Sequence, residues 1–115
     1  MNIQEIAGRW ERRAFPNRPI ERLMMKLAEE MGEVFTEVNK MLEPEVHADK
    51  GEVRFVEEAA DVVLGLLQAV DTFFPGRNLM LEVNKKLSIL HDPSTGHRAA
   101  RRWAGMPNPE VDNES

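Results

Sequence analysis

Two acidic clusters of one form, Glu29-Glu30-x-x-Glu33 and Glu57-Glu58-x-x-Asp61, are the residues of this chain best suited to chemistry. Carboxylates are hard oxygen donors, and magnesium is typically held by one or two of them together with waters and phosphate oxygens. Within each cluster the second and last acids stand i, i+3, so on a helix both side chains converge on one point. Glu29 and Glu33, Glu33 and Glu37, and Glu57 and Asp61 also stand i, i+4, where like charges destabilise a helix by roughly 0.2–0.5 kcal/mol per pair. No lysine or arginine lies between Ala28 and Asn39 to offset them. One such cluster is ordinarily a solvated face, but two in a short chain point to a divalent cation as the compensating charge.

The elements that must position these acids are helices. Ile20, Leu23, Met24, Leu27, Met31, Val34, Phe35, Val38, Met41 and Leu42 form one apolar stripe at helical spacing, with Glu30 on its edge and Glu33 one step further round. Phe55, Val56, Ala59, Val62, Val63, Leu66, Leu67, Val70, Phe73 and Phe74 form a second, with Glu58 and Asp61 on its flank. Ahead of both, Ile3, Ile6, Ala7 and Trp10 predict a short helix over residues 2–15 that stops at Phe15-Pro16. The next helix is expected from Pro19 to Leu42, with Asn17 or Arg18 at its cap, and Glu43-Pro44-Glu45 ends it. Asp49 and Glu52 have the form of a capping box for a third helix, from Lys50 to Phe74, closed by Pro75-Gly76. A fourth is expected from Asn78 to His91 on Leu79, Met80 or Leu81, Val83, Leu87 and Leu90. Nothing alternates as a strand would, so the fold class is all-α, a four-helix bundle. Val62 to Leu67 is apolar nearly all round, which buries this helix on two sides and predicts a homo-oligomer meeting through Ala60 and Leu64.

Composition bounds the function classes. The chain has 115 residues, enough for one domain with a modest core. The expected division is a catalytic domain over 1–92 and a basic segment with a flexible tail over 93–115. A net charge of -5 argues against nucleic acid or an anionic membrane surface as partner. The absence of cysteine removes disulfides, thiol nucleophiles and zinc fingers, which fits the cytosol. The first residues lack the basic and apolar regions of a signal peptide, and no run approaches the roughly 20 apolar residues of a membrane span. His97, Arg98, Arg101 and Arg102 make the basic cluster of the C-terminal segment, where guanidinium forks suit phosphate oxygens.

Taken together, Lys26-Leu27-x-Glu29-Glu30-x-x-Glu33, Glu57-Glu58-x-x-Asp61 and Asn84-x-Lys86, preceded by Trp10 and Phe15-Pro16, resemble the MazG-like family of all-α nucleoside triphosphate pyrophosphohydrolases, over roughly residues 10 to 90. The resemblance implies cleavage of a (d)NTP between its α and β phosphates, giving the monophosphate and pyrophosphate, with two or more magnesium or manganese ions per site. It also implies a homodimer or homotetramer and a cytoplasmic location, the host's cytoplasm for a phage member. Carried across, Glu30, Glu33, Glu58 and Asp61 are the metal ligands. Glu29 and Glu57 each either orient a ligand or position the water, Asn84 lies near metal or sugar, and Lys86 and Lys26 neutralise phosphate charge. The family's further basic residue a few positions after Lys86 is here replaced by Ile89, Leu90 and His91, leaving Arg98, Arg101 and Arg102 as candidates to supply it. The base pocket is expected near Trp10, Phe15 and Asn17, with Ile6 and Phe35.

The residues suit metal-assisted attack by water, since clustered carboxylates can hold cations that acidify a bound water and neutralise charge on the phosphates. The chain's few serines have no plausible His/Asp partnership. The expected substrate is a purine dNTP, guanine slightly favoured, with dUTP or dCTP as the alternative. A diiron bundle would need Glu-x-x-His pairs, and none of His47, His91 and His97 follows an acid by three residues. A non-enzymatic helical dimerisation module is the competing class.

Overall fold

Asn2 opens helix α1 (Ile3–Ala14) by accepting the Glu5 N–H on its side-chain oxygen at 2.9 Å, a capping role asparagine fills well. Pro16 and Asn17 then turn the chain, Asn17 at φ 62°, a left-handed conformation that asparagine tolerates better than most residues. Helix α2 (Ile20–Met41) takes Pro19 itself as N-cap, with no side-chain capping bond, so neither Asn17 nor Arg18 fills the expected cap. Helix α3 (Ala48–Phe73) includes Asp49, so the backbone of Asp49 lies within the helix and not at its N-cap position. Gly76, at φ 88°, makes the turn after α3 that a side chain would strain. Asn78 caps α4 (Leu79–His91), its side-chain oxygen accepting the Leu81 N–H at 2.9 Å.

This computed structural model describes residues 1–43 and 48–92, with residues 48–50 by backbone alone. The expected connection over 44–47, the C-terminal turn and tail, and Arg98, Arg101 and Arg102 lie outside the described residues. Among the described residues the chain is all-α, with four helices and no strand. None of these helices is long and apolar enough to cross a membrane. The chain forms two compact units, Met1–Arg77 with α1 to α3, and a second beginning at Asn78 that contains α4. In this second unit no residue of α4 is buried.

Within the first unit α3 packs against both α1 and α2. Two glycines fix the register of α3 on α2. Gly51 lies against the side chain of Met41, and Gly65 lies so close to the side chain of Leu27 that a Cβ there would collide with it. The helices are thus antiparallel, and Glu58, midway between the glycines, comes level with Glu33 and Val34. The side of α2 that meets α3 runs Leu23, Leu27, Glu30, Val34, Glu37, Met41, alternating steps of four and three. That is the spacing of a helix–helix seam, with carboxylates at two positions where leucine would ordinarily pack. Leu23, Leu27, Val34 and Glu37 are buried, and Glu30 is half-buried.

Helix α1 departs from expectation. Ile3, Ile6 and Trp10 are exposed, and the face laid on α3 is instead Gln4, Ala7, Gly8 and Glu11. Small residues let the backbones approach, with Gly8 against Asp71. Polar clamps hold the contact: Gln4 Nε2 donates to the Arg77 carbonyl at 2.8 Å, and Arg12 Nη1 meets Asp71 Oδ2 at 3.1 Å and Thr72 Oγ1 at 3.3 Å. Buried Glu11 receives a fork of hydrogen bonds from Arg18, which ties the α1–α2 turn to α1. A buried carboxylate needs such a partner.

Much of the expected apolar stripe stays uncovered in the single chain. Met24, Met31 and Phe35 on α2, and Val56, Val63 and Leu66 on α3, are exposed, as is Leu64 outside the stripe, because α3 is covered by two helices over part of its circumference only.

Gly65→Ala is expected to destabilise the protein by about 1–3 kcal/mol, the usual cost of overpacking. Gly32→Ala meets no neighbouring atom within 4 Å and is expected to stabilise by up to about 1 kcal/mol from helix propensity. Urea unfolding of both variants checks the seam, and equal effects would mean that α2 and α3 do not pack through Gly65.

Candidate metal and phosphate site

The register brings the two acidic clusters together. One carboxylate oxygen each from Glu30, Glu33 and Glu58 lies within 4.8 Å of the others. Glu33 is exposed while Glu30 and Glu58 are half-buried, so the group sits where the seam opens to solvent. Asp61 does not join this closest set, yet its charge acts on both Glu30 and Glu58, and it lines a cavity with Glu30.

The electrostatics register the crowding. Glu58 is pushed up from about 4.5 to about 7, first by a hydrogen bond shared with the Glu33 carboxyl, then by burial and the charges of Glu33, Asp61 and Glu30. Two carboxyl groups share a hydrogen bond only when one carries a proton, so the closeness of Glu33 favours the protonated form of Glu58. Glu30 is also raised, by burial and then by Asp61 and Glu33, with Lys26 acting the other way. The second oxygen of Glu58, Oε2, is shut off from solvent and has no donor. A hard cation could supply what this arrangement lacks, since such an ion neutralises charge without a proton and takes up carboxylate oxygens.

Beside the acids runs a trough of about 670 Å³, lined by Phe15, Arg18, Arg22, Met25 and Lys26 at one end and by Glu29, Glu30 and Glu33 at the other. Its cations are not equivalent. Arg18 is committed to Glu11, and its guanidinium covers the Phe15 ring at 3.8 Å from the centroid. The guanidinium of Arg22 makes no ion pair or hydrogen bond with a described residue. Lys26 stands 6.0 Å from the Phe15 ring and close enough to Glu30 to lower its pKa. Arg22 thus joins Lys26 as a group free to meet an anion. Its position four residues before Lys26, hence on the same side of α2, was the available signal.

The remaining expected residues divide. Glu29 lines the trough with Glu30 and Glu33, whereas Glu57 is exposed and outside the close set. Trp10 is half exposed, packs edge-on to Phe15 at 5.9 Å, and lines the cavity that reaches Glu30 and Asp61. Phe15 belongs to the trough, with one face taken by Arg18. Asn17 is on an exposed turn, and Phe35 is exposed on α2. Asn84 and Lys86 are exposed on α4 in the second unit, where the Asn84 carbonyl accepts the Ser88 hydroxyl at 3.1 Å.

No family model matches this chain, and no curated protein or solved structure matches it.

The raised carboxyls give a signed pH dependence for the metal-free protein. The folded state keeps the Glu58 proton that the unfolded chain releases above about 4.5, up to about 7. This contribution is therefore full below the lower value and is lost as pH rises through the upper one. The thermal midpoint in chelator should fall between about pH 5 and pH 7.5, and Glu58→Gln should flatten that fall. Millimolar magnesium should restore stability more at the high end of the window than at the low end, because ligands bind metal deprotonated. A pH-independent midpoint that magnesium leaves unmoved would contradict the site.

Proposed function

We propose that the chain is a magnesium- or manganese-dependent nucleoside triphosphate pyrophosphohydrolase of the MazG-like kind, converting a (d)NTP to the (d)NMP and pyrophosphate. The observation that carries this reading is the adjacency of three converging carboxylates to a trough that also offers Arg22 and Lys26. Anions and cations set side by side in this way suit a polyphosphate bound through metal at one end and directly at the other.

The donor set fits the metal. All donors are carboxylate oxygens, and the unpaired Oε2 of Glu58 is a buried acceptor awaiting a positive partner. Glu30, Glu33 and Glu58 would hold the cations, with Asp61 completing the set. When bound, the cations would lower the pKa of a water and offset charge on the phosphates. The chain's own groups have three tasks. Arg22 and Lys26 hold nonbridging oxygens of the polyphosphate. Glu29, in the trough where Glu57 is not, orients the attacking water by accepting one of its hydrogens. The seam leucines keep bulk water from the buried side of the carboxylates. Water adds to the α-phosphorus while the bond from that phosphorus to the α–β bridging oxygen breaks, pyrophosphate leaves with the electron pair, and the proton lost by the water passes to solvent. Among the described residues no serine, threonine or cysteine lines the trough, and with its carboxylates given to metal and water the nucleophile in this reading is water.

The same proposal includes assembly as a homodimer or homotetramer. Ile3, Val56, Ala59, Ala60, Val63, Leu64 and Leu67 line an apolar groove of about 520 Å³ along α3. Contiguous apolar surface of this kind is what a second copy would cover.

The reaction is tested by incubating the protein with each canonical dNTP, each NTP and dUTP, in magnesium, manganese or chelator, and separating products by ion exchange. Metal-dependent monophosphate plus pyrophosphate from one or a few of them is expected. Glu33→Gln should lower kcat/KM by at least about 100-fold, more than loss of an outer-shell partner usually costs. Diphosphate plus orthophosphate, or no turnover with either metal, would contradict the proposal. Light scattering tests the assembly: Val63→Arg should shift the mass toward the monomer, and a monomeric wild type removes it.

A further inference from the structure

Gln68 is 6% exposed and sits on α3 in the apolar run Leu66-Leu67-Gln68-Ala69. Its carboxamide makes no hydrogen bond with any described residue. Leucine or methionine would fill such a position at less cost, since a buried amide ordinarily finds partners. Among the described residues, the side-chain polar atoms both sealed from solvent and unpaired are Glu37 Oε2 and Glu58 Oε2. The carboxamide of Gln68 therefore keeps its access to water through the cavities that it lines.

One of those cavities, of about 200 Å³, runs from Gln68 past Trp10 and Leu64 to Lys26, Glu30 and Asp61. Lys26 and Glu30 also line the trough that carries the cations and acids, so cavity and trough meet at these two residues. Gln68 follows Asp61 by seven residues, two turns along one side of α3 and about 10 Å away at 1.5 Å per residue. That is comparable with the reach of a nucleoside monophosphate from its phosphorus to the far edge of its base.

We propose that Gln68 is the specificity-determining residue that reads the base of the bound nucleotide; the identity of the ligand rests on the pyrophosphohydrolase reading. A carboxamide presents an acceptor and a donor side by side, which match an adjacent donor–acceptor pair on a heterocycle edge, as glutamine matches the N6 and N7 edge of adenine in DNA. The half-exposed indole of Trp10 supplies a flat surface for the ring. Lys26 and Glu30 stand where the cavity opens to the phosphates. The ligand is thus a planar base with a polar edge, its phosphates directed toward the acids.

Trp10 lines the cavity and so reports on it, and Trp103 is the other tryptophan of the chain. In a Trp103→Phe background, emission is followed while dAMP, dCMP, dGMP, dTMP and deoxyribose 5-phosphate are added separately in magnesium. At least one mononucleotide should change the Trp10 emission saturably, and deoxyribose 5-phosphate should not. Gln68→Met should weaken that binding at least about 10-fold, as sites built to hydrogen-bond a ligand discriminate strongly. It should raise KM for the corresponding dNTP by a similar factor while melting at the wild-type temperature. Unchanged affinity in Gln68→Met, an equal response to deoxyribose 5-phosphate, or no response to any mononucleotide would overturn the assignment. These outcomes are independent of turnover: a protein that binds the base through Gln68 but releases no pyrophosphate would refute the reaction and keep the base site.

Discussion

Glu30, Glu33 and Glu58 are held closer on two packed helices than ionised carboxylates tolerate unaided, and Asp61 adds its charge beside them. The packing that enforces this closeness is apolar and steric. Leu27 against Gly65 and Met41 against Gly51 set α3 antiparallel to α2, and the acids follow from that register. Seam positions that would stabilise the pair as leucines carry Glu30 and Glu37 instead. The seam thus forgoes apolar burial at the level where the acids converge, and the raised Glu58 carboxyl is the electrostatic sign of the same choice. A proton relieves the repulsion at low pH, and a divalent cation would relieve it near neutrality.

The placement of α1 matters to the ligand side of the account. Because α1 docks through Gln4, Ala7, Gly8 and Glu11, its Ile3, Ile6 and Trp10 are left at the surface. The reverse choice would have buried Trp10 as core and removed a wall of the cavity leading to Glu30 and Asp61. Arg18 strengthens the arrangement by bonding Glu11 while lying over Phe15, which fixes the turn between α1 and α2. The cations of the trough are thereby divided between one structural arginine and two groups left for an anion, Arg22 and Lys26.

Much of this was legible in the residues. Prolines 16, 19 and 75 mark the helix ends well, and the i, i+3 spacing was enough to expect Glu30 with Glu33, and Glu58 with Asp61, on one side of each helix, because helical geometry converts spacing directly into direction; it is the α2–α3 register that brings Glu58, and not Asp61, into the close set with Glu30 and Glu33. What failed did so where tertiary contact overrides local pattern. The α1 periodicity grouped Ile3, Ile6, Ala7 and Trp10, and of these Ala7 is buried while the other three are exposed, because close approach at Gly8 and the bond from Gln4 to the Arg77 carbonyl turn the helix onto its small and polar side. Asp49 resembles a cap, yet α3 begins before it. Gln68 gave no signal at all, since an amide in an apolar run takes its meaning from the cavity beside it. Asn84 and Lys86 fell on α4, and the arginines after residue 92 lie outside the described residues, so their expected roles rest on sequence alone.

The central claim, that the α2–α3 carboxylates form a divalent cation site, is tested most directly by anomalous diffraction from crystals grown in manganese. A peak is expected among the carboxylates of Glu30, Glu33 and Glu58, with Asp61 turned toward it. Manganese bound elsewhere, or no peak at these residues under saturating metal, would contradict it.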